Sequence, residues 1–242
     1  MIKFLLQPIL LLLLLPFLVH AQTPFQGWES WYTVTKGNNK LSFYYEKTSK
    51  KKDKIHYQTK TWKKELGNIH IESLGAFSKD NEELTPLFYH LHSTFRKQTK
   101  EIEVNFKEKE FIIKKKTNNI SSPAIKHDLP QTKKVFLSTF FQIWLLRNKE
   151  LLNSKNILHF YTYLEDSIDK EFRPIHGFVT KLANDSLSKS SHSEKFTVQF
   201  NQLKSHWWLL PDGSVQKIKF LNDNTVVKKA SKKEAESFFN EK

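Results

Sequence analysis

The chain of 242 residues contains no cysteine, one methionine and only six glycines, and each shortage removes a class of explanation. Without cysteine no disulfide can form, and no thiol is available for acylation behind a leader, so the chain is not a lipoprotein held by a lipidated cysteine. With so few glycines, phosphate-cradling loops and strained nucleophile elbows are hard to build. None of the patterns G-x-S-x-G, H-E-x-x-H, glycine-rich phosphate loop or EF-hand loop occurs in the sequence. Long apolar runs are scarce as well. Beyond the first 21 residues only 135–147, VFLSTFFQIWLLR, is apolar at nearly every position. As a helix it would rise about 20 Å, well short of the roughly 20 apolar residues that span a bilayer. Its exceptions Ser138, Thr139 and Gln142 fall on one narrow strip, which predicts a buried helix with Trp144 as one of its core rings. An interfacial helix lying on a membrane, or a misread pair of strands, are the other two ways to dispose of such a segment.

What the chain does contain begins with a leader. A positive start at Lys3, a leucine-rich stretch, and Val19-His20-Ala21 with small residues before the cut predict a signal peptide, residues 1–21, cleaved between Ala21 and Gln22. Export to the periplasm or the medium follows, with residues 22–242 forming one β-rich domain. Removing the leader removes only one charge, Lys3, from a chain of formal net charge +14. In an exported protein that balance points to lipid headgroups or another anionic envelope component, with peripheral membrane contact, and argues against nucleic acid. Simple solubility explains the same lysines, which are dispersed, with groups at 50–54, 114–116 and 228–233 placed where charge guards strand edges. Twenty phenylalanines supply much of the material for a core.

Alternation with a period of two dominates the rest. Leu41, Phe43 and Tyr45 alternate with Ser42, Tyr44 and Glu46, and Ile102, Val104 and Phe106 alternate with charged or polar neighbours. Residues 28–77 predict a four-strand antiparallel meander, residues 101–116 a hairpin, and residues 157–221 a further series of strands, with a turn at Pro211-Asp212-Gly213. Residues 118–132 form a long connection, either a binding loop or a surface excursion. Residues 184–193 predict a mobile serine-rich loop. Ser231 and Glu234 fit a capping box that opens a C-terminal helix with Ala235, Phe238 and Phe239 on its apolar side. The fold class is therefore mainly β with few helices: a curved antiparallel sheet, or unclosed β-barrel, around one buried helix, plus a helix at the C-terminus.

The segment Trp207-Trp208-Leu209-Leu210-Pro211-Asp212-Gly213-Ser214-Val215-Gln216-Lys217-Ile218 closes an order of leader, aromatic opening strand, meander, helix and final strands. In this order the chain resembles uncharacterised bacterial periplasmic proteins related in fold to the lipoprotein carriers. The resemblance implies an unclosed barrel whose concave apolar face, covered by helices, holds an acyl chain. No residue set transfers with it, so lipid binding is implied by fold alone.

On that expectation Phe140, Phe141 and Trp144 from the helix and Tyr161, Tyr163 and Trp207 from nearby strands line an apolar ligand cavity with lysines at its mouth. Alternatively the same rings touch one another and fill the core of an envelope structural or interaction protein. His90 and His92 have a metal-compatible spacing on one side of a strand, but no third ligand can be named, and no cofactor is expected. A hydrolase would need a polar cluster converging in a cleft. Glu165, Asp166, Asp169 and Glu171 could include a catalytic pair, but their spacing specifies no geometry. No catalytic residue is assigned from the sequence.

Overall fold

The computed structural model describes residues 25–130, 134–164 and 173–239. The predicted leader, its cleavage site at Ala21 and Gln22, and the acidic group Glu165, Asp166, Asp169 and Glu171 lie outside the described residues. Seven strands come first: β1 (Glu29–Lys36), β2 (Asn39–Lys51), β3 (Lys54–Glu65), β4 (Asn68–Lys79), β5 (Pro86–Phe95), β6 (Gln98–Phe106) and β7 (Glu110–Thr117). Each pairs antiparallel with its predecessor. Two short strands, β8 (Ile120–Ser121) and β9 (Ile125–Asp128), both fold back onto β7. They occupy the long predicted connection.

Strand β10 (Val135–Leu137) then leads through a 3-10 turn into helix α1 (Phe141–Asn148), which ends in a second 3-10 turn, Lys149–Asn153. The second half comprises β11 (Leu158–Tyr163), β12 (Ile175–Lys181), the short helix α2 (Ser186–Ser191), β13 (Glu194–Phe200), β14 (Leu203–Leu209), β15 (Val215–Phe220), β16 (Thr225–Ala230) and α3 (Lys232–Ser237).

All strands belong to one sheet. It runs from β10 through β16, crosses to β1, and continues to β7. The crossing is an antiparallel pairing of the last strand with the first, from Trp31 opposite Ala230 to Lys36 opposite Thr225. The pair β10–β11 is parallel. Twist curls the sheet until its ends face each other. Tyr163 of β11 lies 6.1 Å from the Phe106 ring of β6 and 5.8 Å from the Phe111 ring of β7. This is the expected unclosed barrel, mainly β with few helices.

Helix α1 covers the concave face. Phe140, just before it, meets Tyr57 of β3 at 6.2 Å, while Phe141 meets Phe200 of β13 at 5.0 Å and Trp207 of β14 at 5.1 Å. The helix therefore touches both halves of the sheet. Each such buried ring contributes about 1.5–3 kcal/mol.

Four expectations need correction. The segment 135–147 is not one helix: Val135–Leu137 is a strand that pairs with β11, where the Thr162 hydroxyl donates to the Phe136 carbonyl at 2.8 Å. Only two helical turns remain, because Val135–Leu137 pairs with the open edge of β11 instead of continuing the helix. Trp144 is half-buried and packs at the edge of the core. The serine-rich segment contains α2, whose start is capped by the Asp185 carboxylate accepting from the Ser188 N–H, and whose end is His192 in the left-handed conformation at φ 55°. Finally, β16 follows a polar loop and was not among the predicted strands, although it joins the two halves.

Two other sequence signals appear as expected. Ser231 and Glu234 form a reciprocal capping box. Ala235 and Phe238 of the C-terminal segment bury Phe43 on the convex face, beside Trp31 and Trp62.

Candidate functional site

Residues two apart on a helix point in nearly opposite directions. Gln142 of α1 faces β2, so Trp144 points the opposite way, toward β10 and β11. The Gln142 contact is specific: its Nε2 donates to Oε2 of Glu46 at 3.2 Å. Glu46, on β2, is 1% exposed and also accepts from the Tyr57 hydroxyl at 3.1 Å and the Trp28 indole N–H at 2.5 Å. Burial pushes the Glu46 carboxyl above its ordinary 4.5, against the pull of those three donors and of the Lys229 charge. The same buried carboxyl helps push the hydroxyls of Tyr32 and Tyr44 upward, after burial itself. A single acceptor thus ties the chain before β1, strand β3 and helix α1 together. That tie fixes the direction in which Trp144 points.

The gap beneath Trp144 is a cavity of about 540 Å³. Its apolar floor is made by Trp144, Phe136 of β10, Leu158 and Phe160 of β11, and Leu151 after the helix. The rings are ordered: Phe136 stacks on Trp144 at 5.7 Å and 16°, and Phe160 approaches Trp144 at 5.1 Å. The rim is polar and carries Glu82, Glu83, Lys134, Lys155, His159 and Tyr161. Lys134 is paired with Glu83 at 2.8 Å, whereas Lys155 has no ion-pair partner among the described residues. His159 also borders a second cavity of about 580 Å³ with Ile175, His176 and Phe178. Its Nδ1 lies 3.0 Å from Nε2 of His176, so one ring donates and the other accepts.

Of the six residues expected to line a ligand cavity, Trp144 and Tyr161 border this one. Phe140 is buried against Tyr57, and Tyr163 is buried between Phe106 and Phe111, where burial pushes its hydroxyl well up. Phe141 and Trp207 belong to a ring cluster with Phe160 and Phe200, and the Trp207 indole donates to Ser205 Oγ at 2.9 Å. These four sit in the packed core, so the expected shared cavity divides into a filled part and an open part. His90 and His92 project from the convex face of β5. His90 lies beside Phe88, and His92 approaches Glu101 at 3.4 Å. Among the described residues no group of three or more His, Cys, Asp or Glu side chains is placed to hold a metal ion.

Sequence reasoning missed Glu46, Phe136, Phe160, His159, Lys134 and Lys155. Phe136 lies inside the run 135–147, whose composition predicts a helix, and Phe160 lies inside the strand series predicted over residues 157–221, where nothing marks the face that borders a cavity. Nothing marked Glu46, because in its strand Leu41 is 37% exposed while Ser42, Glu46 and Thr48 are buried. Some lysines of the basic groups are also neutralised in place: Lys50 pairs with Asp80 at 2.5 Å, Lys114 with Glu103 at 3.5 Å and Lys116 with Glu101 at 3.8 Å.

Compared with protein-family models and with curated proteins, the chain matches none. Among solved structures it is similar to the crystal structure of a DUF1089 family protein from Pseudomonas aeruginosa, with a TM-score of 0.42 and 10% identity over 84% of this chain and 92% of that one.

Proposed function

We propose that the protein is exported to the periplasm or the medium and binds a lipid or another apolar ligand in the cavity between α1, β10 and β11. The observation that carries this reading is the contrast between the floor and rim of that cavity. Stacked aromatic rings form one surface, and lysines, glutamates and a histidine form the other, as an amphiphile with one apolar tail and a charged head requires. Its volume of about 540 Å³ falls within the roughly 300–1,000 Å³ of small-molecule sites. Lys155, without an ion-pair partner among the described residues, is the group placed to meet a phosphate or carboxylate.

The test is a titration of the full chain with a fluorescent fatty acid and, separately, a fluorescent lysophospholipid. Saturable binding is expected, weakened about tenfold or more by Trp144→Asp, a loss of roughly 1.4 kcal/mol. Lys155→Glu should weaken it as well. Circular dichroism confirms that each variant is folded. A second reading, a structural or interaction protein of the envelope, is favoured by the cluster in which Phe141 lies within 5.0 Å of both Phe160 and Phe200. Absence of saturable binding to folded wild type would leave that second reading in place.

A further inference from the structure

Away from the cavity, three side chains on neighbouring strands form an unbroken hydrogen-bond chain. The Ser93 hydroxyl oxygen on β5 lies 2.6 Å from Nε2 of His70 on β4, and Nδ1 of that ring lies 3.1 Å from Oε2 of Glu65 at the end of β3. Strand register produces this arrangement. Glu72 stands opposite Ser93, and Lys63 opposite His70, so His70 and Glu65 are each one step further along the same face. Leu74 and Leu91, on that face of the same strands, pack against the main core. The chain therefore lies on the concave side of the sheet. The His70 side chain is 16% exposed and its ring packs beside Phe95 at 5.4 Å.

The order of the contacts dictates where protons sit. An ionised Glu65 only accepts, so the ring proton of neutral His70 belongs on Nδ1, and the Nε2 lone pair is left for the Ser93 O–H. Nucleophile, base and orienting carboxylate thus follow one another in the sequence that acyl transfer uses. The surrounding charges fit as well. Glu72 approaches Nε2 at 3.5 Å but is drawn toward Lys63, 2.5 Å away. Lys100 stands directly opposite Ser93 on β6. Burial and the neighbouring Lys115 hold the Lys100 ammonium below its ordinary value, against the pull of Glu72. A positive charge beside the serine is where a developing oxyanion would need one.

We propose that Ser93 is an activated nucleophile toward carboxylic esters, with His70 as its general base, Glu65 as the positioning residue and Lys100 as the charge beside the oxyanion. Ser93 Oγ bonds to the carbonyl carbon while its proton passes to His70 Nε2. The tetrahedral intermediate then collapses, the ester C–O bond breaks, and the leaving alcohol takes that proton. Water, deprotonated by His70, attacks the acyl-serine, releases the carboxylic acid and restores Ser93. The backbone N–H groups of β5 are used in pairing with β4 and β6, so the oxyanion gains no preorganised pair of main-chain donors. Turnover is therefore slow, and covalent capture is the sensitive readout.

The experiment is labelling of the full chain with a fluorophosphonate, in which Ser93 Oγ displaces fluoride from phosphorus, followed by peptide mass spectrometry. The expected result is an adduct on Ser93. Ser93→Ala should abolish the adduct. His70→Gln should slow it about 100-fold, the lower range of general-base contributions. Glu65→Gln should slow it less, and Glu65→Asp, which keeps a carboxylate for Nδ1, should recover part of the loss; a purely structural role would not separate the two variants. Folded wild type without an adduct on Ser93, or His70→Gln labelled as fast as wild type, would overturn the proposal. Neither result bears on the cavity, which shares none of these residues.

Discussion

Replacing Glu46 by alanine leaves three donors, the Trp28 indole N–H, the Tyr57 hydroxyl and the Gln142 amide, facing a void. Each buried donor left without an acceptor costs about 1–3 kcal/mol. Part of the sum is returned, since the variant no longer buries a carboxylate, so a loss of about 3–6 kcal/mol is expected. Glu46→Gln keeps the volume and one acceptor, and should cost less. It also isolates the charge. The folded pKa of Glu46 lies above its ordinary 4.5, so its contribution to stability is fully present below that value and is lost as pH rises through the folded value. The glutamine does not titrate. The stability lead of wild type over Glu46→Gln should therefore be largest near pH 4 and shrink toward pH 8. Urea denaturation followed by far-UV circular dichroism at the two pH values measures this difference, and carboxylates common to both proteins cancel. A lead that widens toward pH 8, or an alanine variant as stable as wild type, would refute the account of Glu46 as a buried tie whose carboxyl is held above its ordinary value.

Two further substitutions probe the frame of the site. A Cβ on Gly177 would fall 2.3 Å from the Phe160 ring and 2.7 Å from the Gln199 carbonyl, so Gly177→Ala should cost about 1–3 kcal/mol by overpacking. The displaced ring should also weaken any ligand bound in the cavity, which a thermal melt and the fatty-acid titration check together. Asp80 is held low overall, since hydrogen bonds from Lys50 and Arg147 outweigh the upward push of its burial. Its contribution is present above its unfolded value of 3.8 and lost as pH falls through the folded one. Arg147→Ala should lower stability by about 1.5–3 kcal/mol at pH 7 and much less at pH 2, measured by urea titration at both.

The architecture was legible because its signals are local. Paired alternation in residues 28–77 and 101–116 marks strands, and Ser231 with Glu234 marks a helix start, whatever the rest of the chain does. The failures have a different physical origin. Val135–Leu137 became a strand because an unpaired edge of β11 was available to it, a long-range fact that apolar composition cannot contain. Alternation in β2 shows two faces but not which is inside; the answer depends on α1, whose Gln142 meets Glu46 from far along the chain. The site suffers doubly, since its floor mixes residues from β10, β11 and α1 while its rim adds the β4–β5 loop.

The pairing of β16 with β1 has a consequence for how the molecule is made. From β1 to β7 nearly every pairing is between neighbours in sequence, and β11 to β16 behave likewise, so each half can zip locally and early. The joint between them must wait for residues far apart in the sequence, from Trp31 to Ala230, to meet across a loop closure spanning most of the chain. Until then two unpaired edges stand open, and each is a template for a strand of another molecule. A chain truncated before Thr225 would leave β1 and β15 as permanent open edges, and its failure would be aggregation rather than mere loss of a strand.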